Sequence, residues 1–244
     1  MKTRLMLAVA LTAFSAEVHA QVGDVEPPDR TAVNVPVLTP TLHAASACVG
    51  DPSEARRILD QAARYDDEAA LDYLARVRDS LETTLRPGDP DDLFVLAAVR
   101  GAEASLESGA SQVRAAEAAF RHSRRVLELD PGHAGAAYVL GRLNAGVMRT
   151  SRITRFLASR LLGGDALGDA SWDEARRLLE IAVAATPCDP EYRYELGRVY
   201  ADQDLVELAV EQFDRAVESP DRGARARAAR DAAREFRDRL LGGS

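Results

Sequence analysis

Aromatic residues make up only 5% of this 244-residue chain, and tryptophan occurs once, as Trp172. A core must therefore come mostly from alanine, leucine and valine, which pack closely only when elements approach one another at short range. Lysine is almost missing, with Lys2 alone among thirty-one basic residues and arginine supplying the rest. Coding bias accounts for such usage without any function; the other reading is that planar, bidentate guanidinium groups serve ion pairs between helices. No apolar run reaches the ~20 residues that span a bilayer, and no useful stretch alternates with period two, so nothing signals a sheet. Also missing are a glycine-rich phosphate loop after a strand, a Gly-x-Ser-x-Gly turn, and a cysteine with a histidine close by in sequence. His43, His122 and His133 are scattered and have no second ligand at metal spacing. The paired acids at Asp66-Asp67-Glu68 and Asp91-Asp92 read as helix starts. These absences point to a non-enzymatic protein with no cofactor and no metal.

The formal net charge of -8 makes nucleic acid an unsuitable partner, since an acidic chain repels phosphate. At the N-terminus, Lys2 and Arg4 precede an apolar stretch from Leu5 to Phe14, and Val18-His19-Ala20 offers small residues for cleavage. Residues 1–20 thus read as a signal peptide, which sends the chain to the periplasm or out of the cell. Two cysteines, Cys48 and Cys188, would meet an oxidising compartment there. A bridge between them would close about 140 residues and contribute roughly 5 kcal/mol in the chain-entropy account. Against it, Cys188 lies far along the chain, and a disulfide needs Cα atoms within about 6 Å.

Residues 21–50 hold Pro27, Pro28, Pro36 and Pro40 without helical period and read as an extended leader. Residues 51–241 read as helical throughout. The segment Asp51-Pro52-Ser53-Glu54 predicts a helix start with Asp51 as cap and proline in the first turn, and Asp89-Pro90 and Asp189-Pro190 repeat it. Between such starts the apolar spacing is helical, as in Leu71, Leu74, Val77, Leu81 and Leu85, or Leu205, Leu208, Ala209, Phe213 and Ala216. The expected elements are hairpins over about 53–85, 90–129, 134–186 and 189–218, then a last helix over about 222–240. That last helix has Ala226, Ala229, Ala233, Phe236 and Leu240 on one side and arginines on the other.

Three times a leucine and a small residue follow nine positions after a proline: Pro87 to Leu96-Ala97, Pro131 to Leu140-Gly141, and Pro187 to Leu196-Gly197. Small or apolar residues recur at matching offsets in the later part of each unit, at Ala175, Ala182, Ala209, Phe213 and Ala216. This pattern resembles the tetratricopeptide repeat, which implies an all-α superhelix of stacked hairpins with a C-terminal capping helix. The proline markers are spaced by 44 and 56 residues, against about 34 for a plain repeat. The smaller addition falls near residues 105–112. The larger, residues 149–170, falls inside the third hairpin as an inserted helix. The run from Leu140-Gly141-Arg142 through Arg152-Ile153-Thr154-Arg155-Phe156 to Trp172-Asp173-Glu174-Ala175 is similar to the regulator-of-microtubule-dynamics family, over about 90–240. That resemblance implies a non-enzymatic adaptor; a related member is associated with lipid at organelle contacts.

Tetratricopeptide repeats bind through the inner face of each first helix, two residues before and after the marker leucine. Carried onto this chain, the resemblance nominates Phe94, Tyr138 and Tyr194, with Ala98, Arg142 and Arg198, as a groove. Aromatic rings beside arginines suit a protein or peptide partner with an acidic end; the other reading has the rings packing on neighbours and the arginines pairing with Glu195 or Asp202. In the insert, Ile153, Leu157 and Leu161 lie on one face, with Arg149, Arg152, Arg155 and Arg160 mostly on the other and Phe156 within the arginine arc. Such a helix either packs onto the solenoid, makes peripheral membrane contact, or covers a lipid or apolar ligand. The first expectation is thus an exported scaffold that binds a protein partner, and the alternative is lipid binding in a cavity capped by the insert.

Overall fold

The computed structural model describes residues 53–86, 88–150, 170–220 and 223–242. Among them are nine helices and no strand: α1 (Glu54–Ala62), α2 (Asp67–Thr84), α3 (Pro90–Leu106), α4 (Gly109–Leu129), α5 (Ala134–Arg149), α6 (Trp172–Ala185), α7 (Pro190–Ala201), α8 (Val206–Glu218) and α9 (Ala224–Gly242). Residues 1–20, read above as a signal peptide, the following residues 21–50 with Cys48, and Arg152, Arg155 and Phe156 lie outside the described residues.

Two helix starts follow the acid-proline pattern. Asp89 accepts the amides of Asp91 and Asp92 at 3.0 and 3.4 Å. Asp189 does the same for Glu191 and Tyr192 at 2.9 and 3.4 Å. Proline follows each cap, where the helix has no use for its missing N–H. The first helix departs from expectation, because its cap is Ser53 and not Asp51. The helix begins at Glu54, so the hydroxyl immediately before it accepts the Arg56 amide at 3.3 Å.

Each hairpin pairs its two helices, α3 with α4, α5 with α6, and α7 with α8, and the second helix of each then packs on the first helix of the next unit. Leu96, Leu140 and Leu196 are buried. The small residues after two of them are a steric requirement: a Cβ on Gly141 would stand 2.7 Å from Leu179, and one on Gly197 would stand 2.6 Å from the Phe213 ring. Ala175, Ala182, Ala209, Phe213 and Ala216 are fully buried, the phenylalanine alone contributing about 2–3 kcal/mol by removal from water. Leu208 departs from the expected stripe and is exposed. In the second hairpin the added residues lengthen both helices, to 17 and 21 residues, and the Gln112 side-chain amide donates to the Ala104 carbonyl across the break at 3.0 Å.

The C-terminal helix α9 closes the stack against α7 and α8. It buries Ala226, Ala229 and Ala233 and sets Phe236 against Phe213 and Tyr194, with ring centroids 5.8 and 6.0 Å apart. Arginines tie neighbouring helices together. Arg78 on α2 meets Glu103 on α3 at 2.8 Å, Arg237 on α9 meets Asp214 on α8 at 3.0 Å, and Arg225 on α9 pairs with Glu191 on α7. Arg149 requires a correction. It ends α5 rather than forming part of an exposed basic arc, and it pairs with Glu195 and Asp202 at 2.6 and 2.7 Å. A carboxylate as buried as Glu195 demands a cation at hydrogen-bond distance, and Arg149 makes the shorter of its two arginine contacts.

Candidate functional site

The first helices of the hairpins line the concave face, where a cavity of about 320 Å³ opens between α5, α7 and α9. Tyr138 and Arg142 stand one turn apart on α5, and Tyr194 and Arg198 stand one turn apart on α7, so each pair projects from one face. All four line the cavity together with Glu191 and Glu195. The remaining wall is α9, whose Ala228, Ala229 and Ala232 are short enough to let that helix come close, with Arg225 at the rim.

A family model for the regulator of microtubule dynamics protein 1-3 matches residues 53–240. The chain belongs to this family. No curated protein matches the chain. A solved structure described as "MamA RS-1 ArsTM double mutant" is similar at 20% identity and a TM-score of 0.40, over 79% of this chain and 94% of that one. In this regulator-of-microtubule-dynamics chain, then, the cavity is built from the helical repeats of α5 and α7 and closed by α9.

Its electrostatics turn on two glutamates one helical turn apart. Glu195 is 3% exposed. Burial pushes its carboxyl up, but the Arg149, Arg198 and Arg142 guanidiniums together outweigh that cost and hold it below the usual carboxylate range. Arg149 donates to it at 2.6 Å and Arg198 at 3.4 Å. Glu191 goes the other way, because burial dominates and Arg225 offsets only part of it, so its carboxyl is raised. Tyr138 stacks on Tyr192 with centroids 4.5 Å apart, and burial pushes its phenol up to about 12. It therefore stays a neutral hydroxyl beside the Arg142 cation. Arg142 itself is exposed and donates to the Ser105 hydroxyl at 3.3 Å. It has no carboxylate within ion-pair distance among the described residues.

Arg198 spans both expectations, since it lines the cavity, pairs with Glu195, and lies over the rings of Tyr194 and Phe236 at 5.7 and 5.6 Å. Phe94 is not part of the set. Its ring packs on His133 at 4.5 Å and fills the space where a Cβ on Gly135 would stand 2.1 Å away, so it joins α3 to α5 and does not line the cavity. Ala98 is likewise buried, packed with Ala55 of α1. Sequence reasoning missed Glu191, Arg225 and the α9 wall. Only the recurring acid-arginine spacing, as at Glu195 and Arg198, hinted that the arginines of this face have partners. His133 caps α5 by accepting the Ala136 amide at 3.1 Å. Cys188 is bridged rather than free, while Cys48 lies outside the described residues. Among the described residues, no group of histidine, cysteine, aspartate or glutamate is placed to hold a metal ion, and no helix is long and apolar enough to cross a membrane.

Proposed function

We propose that this chain is an exported, non-enzymatic adaptor that holds a protein or peptide partner on its concave face, with Arg142 receiving an acidic group of that partner. The observation that carries this reading is the convergence of Tyr138, Arg142, Tyr194 and Arg198 on one cavity in which Arg142, unlike Arg198 and Arg225, makes no salt bridge among the described residues. A guanidinium beside a neutral phenol and outside any salt bridge among the described residues presents a bidentate donor, which suits a chain-terminal carboxylate or an acidic side chain. Export is supported by the basic and then apolar N-terminus, and it directs the search for a partner to the cell envelope rather than to the microtubule of the family's name. Half of the lining residues are charged and two more carry a phenol hydroxyl, which favours a partner with polar groups over lipid.

The test uses two pools of random peptides that differ only in a free or amidated C-terminus, passed over immobilised protein. Enrichment of the free-carboxylate pool, lost in the Tyr138→Ala/Tyr194→Ala variant, supports the groove. Equal retention by the folded double variant overturns it.

A further inference from the structure

Helix α9 turns one face to the cavity: Arg225, Ala228, Ala229 and Ala232, at i, i+3, i+4 and i+7. That face begins with a cation and continues as methyl groups. Arg225 is engaged by Glu191. Further along the same helix, the Phe236 ring packs on Tyr194 and lies under the Arg198 guanidinium. Helix α9 is thus fastened to α7 at both ends of the cavity, and between the fastenings it offers alanine alone. Ala228 is exposed and Ala232 half-buried, so these methyl groups face open space and not a packed neighbour.

The charges of the lining do not balance. Three arginines face two glutamates. Arg198 holds Glu195 and Arg225 holds Glu191, and Arg142 makes no salt bridge among the described residues. One further negative charge completes the set, whereas a second would stand beside Glu191 and Glu195 without a cation of its own. An incoming group that fits the 320 Å³ space therefore brings a single anion and, next to it, an apolar surface for the alanine wall. The C-terminal residue of a peptide has this form, because its carboxylate and its side chain leave the same Cα. An internal aspartate or glutamate carries its carboxylate at the tip of its own side chain, with no apolar group beside it.

We propose that the cavity reads the last residue of its partner. Arg142 takes the terminal carboxylate, and the wall of Ala228, Ala229 and Ala232 takes a large apolar side chain such as leucine or phenylalanine. This rests on the partner-binding reading above and narrows it from any acidic group to an apolar C-terminal residue. Ala228 and Ala232 are then the residues that set specificity, since a longer side chain at either would fill the space the ligand needs.

Fluorescence anisotropy with four labelled peptides of one polar body separates the two claims. The peptides end in leucine or glycine, each with a free or an amidated carboxyl group. Wild-type protein should bind the free leucine peptide about tenfold or more tighter than the free glycine peptide, the factor that follows from removing most of a leucine side chain from water. Ala228→Leu/Ala232→Leu should bring that ratio near one, while the free glycine peptide keeps its advantage over its amide. Circular dichroism checks that the variant is folded; should it not be, Ala228→Leu alone takes its place. Equal wild-type affinity for the two free peptides, both still preferred over their amides, overturns the apolar pocket and leaves the Arg142 site standing. Absence of any preference for free over amidated peptides overturns the partner-binding reading itself, and the pocket with it. A leucine preference that survives in the folded variant removes α9 from the role.

Discussion

Ala98 on α3 and Arg142 on α5 hold the same place in successive repeats, two residues past a buried leucine, yet Ala98 is 4% exposed beneath α1 while Arg142 faces solvent. The residues two before those leucines diverge in the same way. Phe94 is spent on Gly135 and His133, whereas Tyr138 lines the cavity. What separates the halves is the neighbour across the concave face. On the N-terminal side a small side chain lets α1 settle onto α3, and on the C-terminal side long, charged residues on α5 and α7 keep a space that α9 bounds with alanines. Repeat offset states which way a side chain points, and the adjoining helix decides whether it meets solvent.

The largest expected effect breaks the C-terminal half at Glu195. Glu195→Gln leaves Arg149 and Arg198 without their shared carboxylate, and urea unfolding at neutral pH should report a loss of about 3 kcal/mol. The pH dependence has a definite sign. The folded carboxyl lies below its unfolded value, so its contribution is complete above the unfolded range of about 4.3 and disappears as pH falls through the folded value. Wild type and variant should therefore converge in acid. Glu191, raised by burial, works in the opposite direction, costing stability as pH climbs through its raised value.

A smaller effect sharpens the contrast from the other side. Phe94→Ala should destabilise by about 2 kcal/mol, because the ring is only partly buried and its loss leaves a gap over Gly135. Peptide retention by the folded variant should be unchanged, since the ring lies outside the cavity. Reduced retention with unaltered stability would return Phe94 to the groove.

The repeat architecture was legible because it is written in local terms: a leucine and a small residue at fixed distance from a proline, and Asp-Pro caps before α3 and α7. Two of the four cavity side chains could be placed with equal ease on α5 and two on α7, as each pair shares one helical face. Three features were not legible. The Arg56–Asp189 contact joins residues 133 positions apart with no local signature. The alanine wall of α9 looks like any helix packing face until it is seen beside α7. The loss of Phe94 from the groove depends on Gly135, a residue that in sequence only opens the next helix. Arg149 was misassigned for a related reason, since a long side chain at a helix end follows the buried charge it must neutralise.

Peptide discrimination by Arg142→Ala bears most directly on the concave face as a binding surface. The side chain makes no salt bridge among the described residues but is one of three guanidiniums acting on Glu195, so its removal should cost about 1 kcal/mol or less, well below Glu195→Gln. Wild-type protein should retain free-carboxylate peptides over amidated ones, and the folded Arg142→Ala variant should lose that preference. An undiminished preference in the variant would contradict a role for Arg142 in receiving the acidic group.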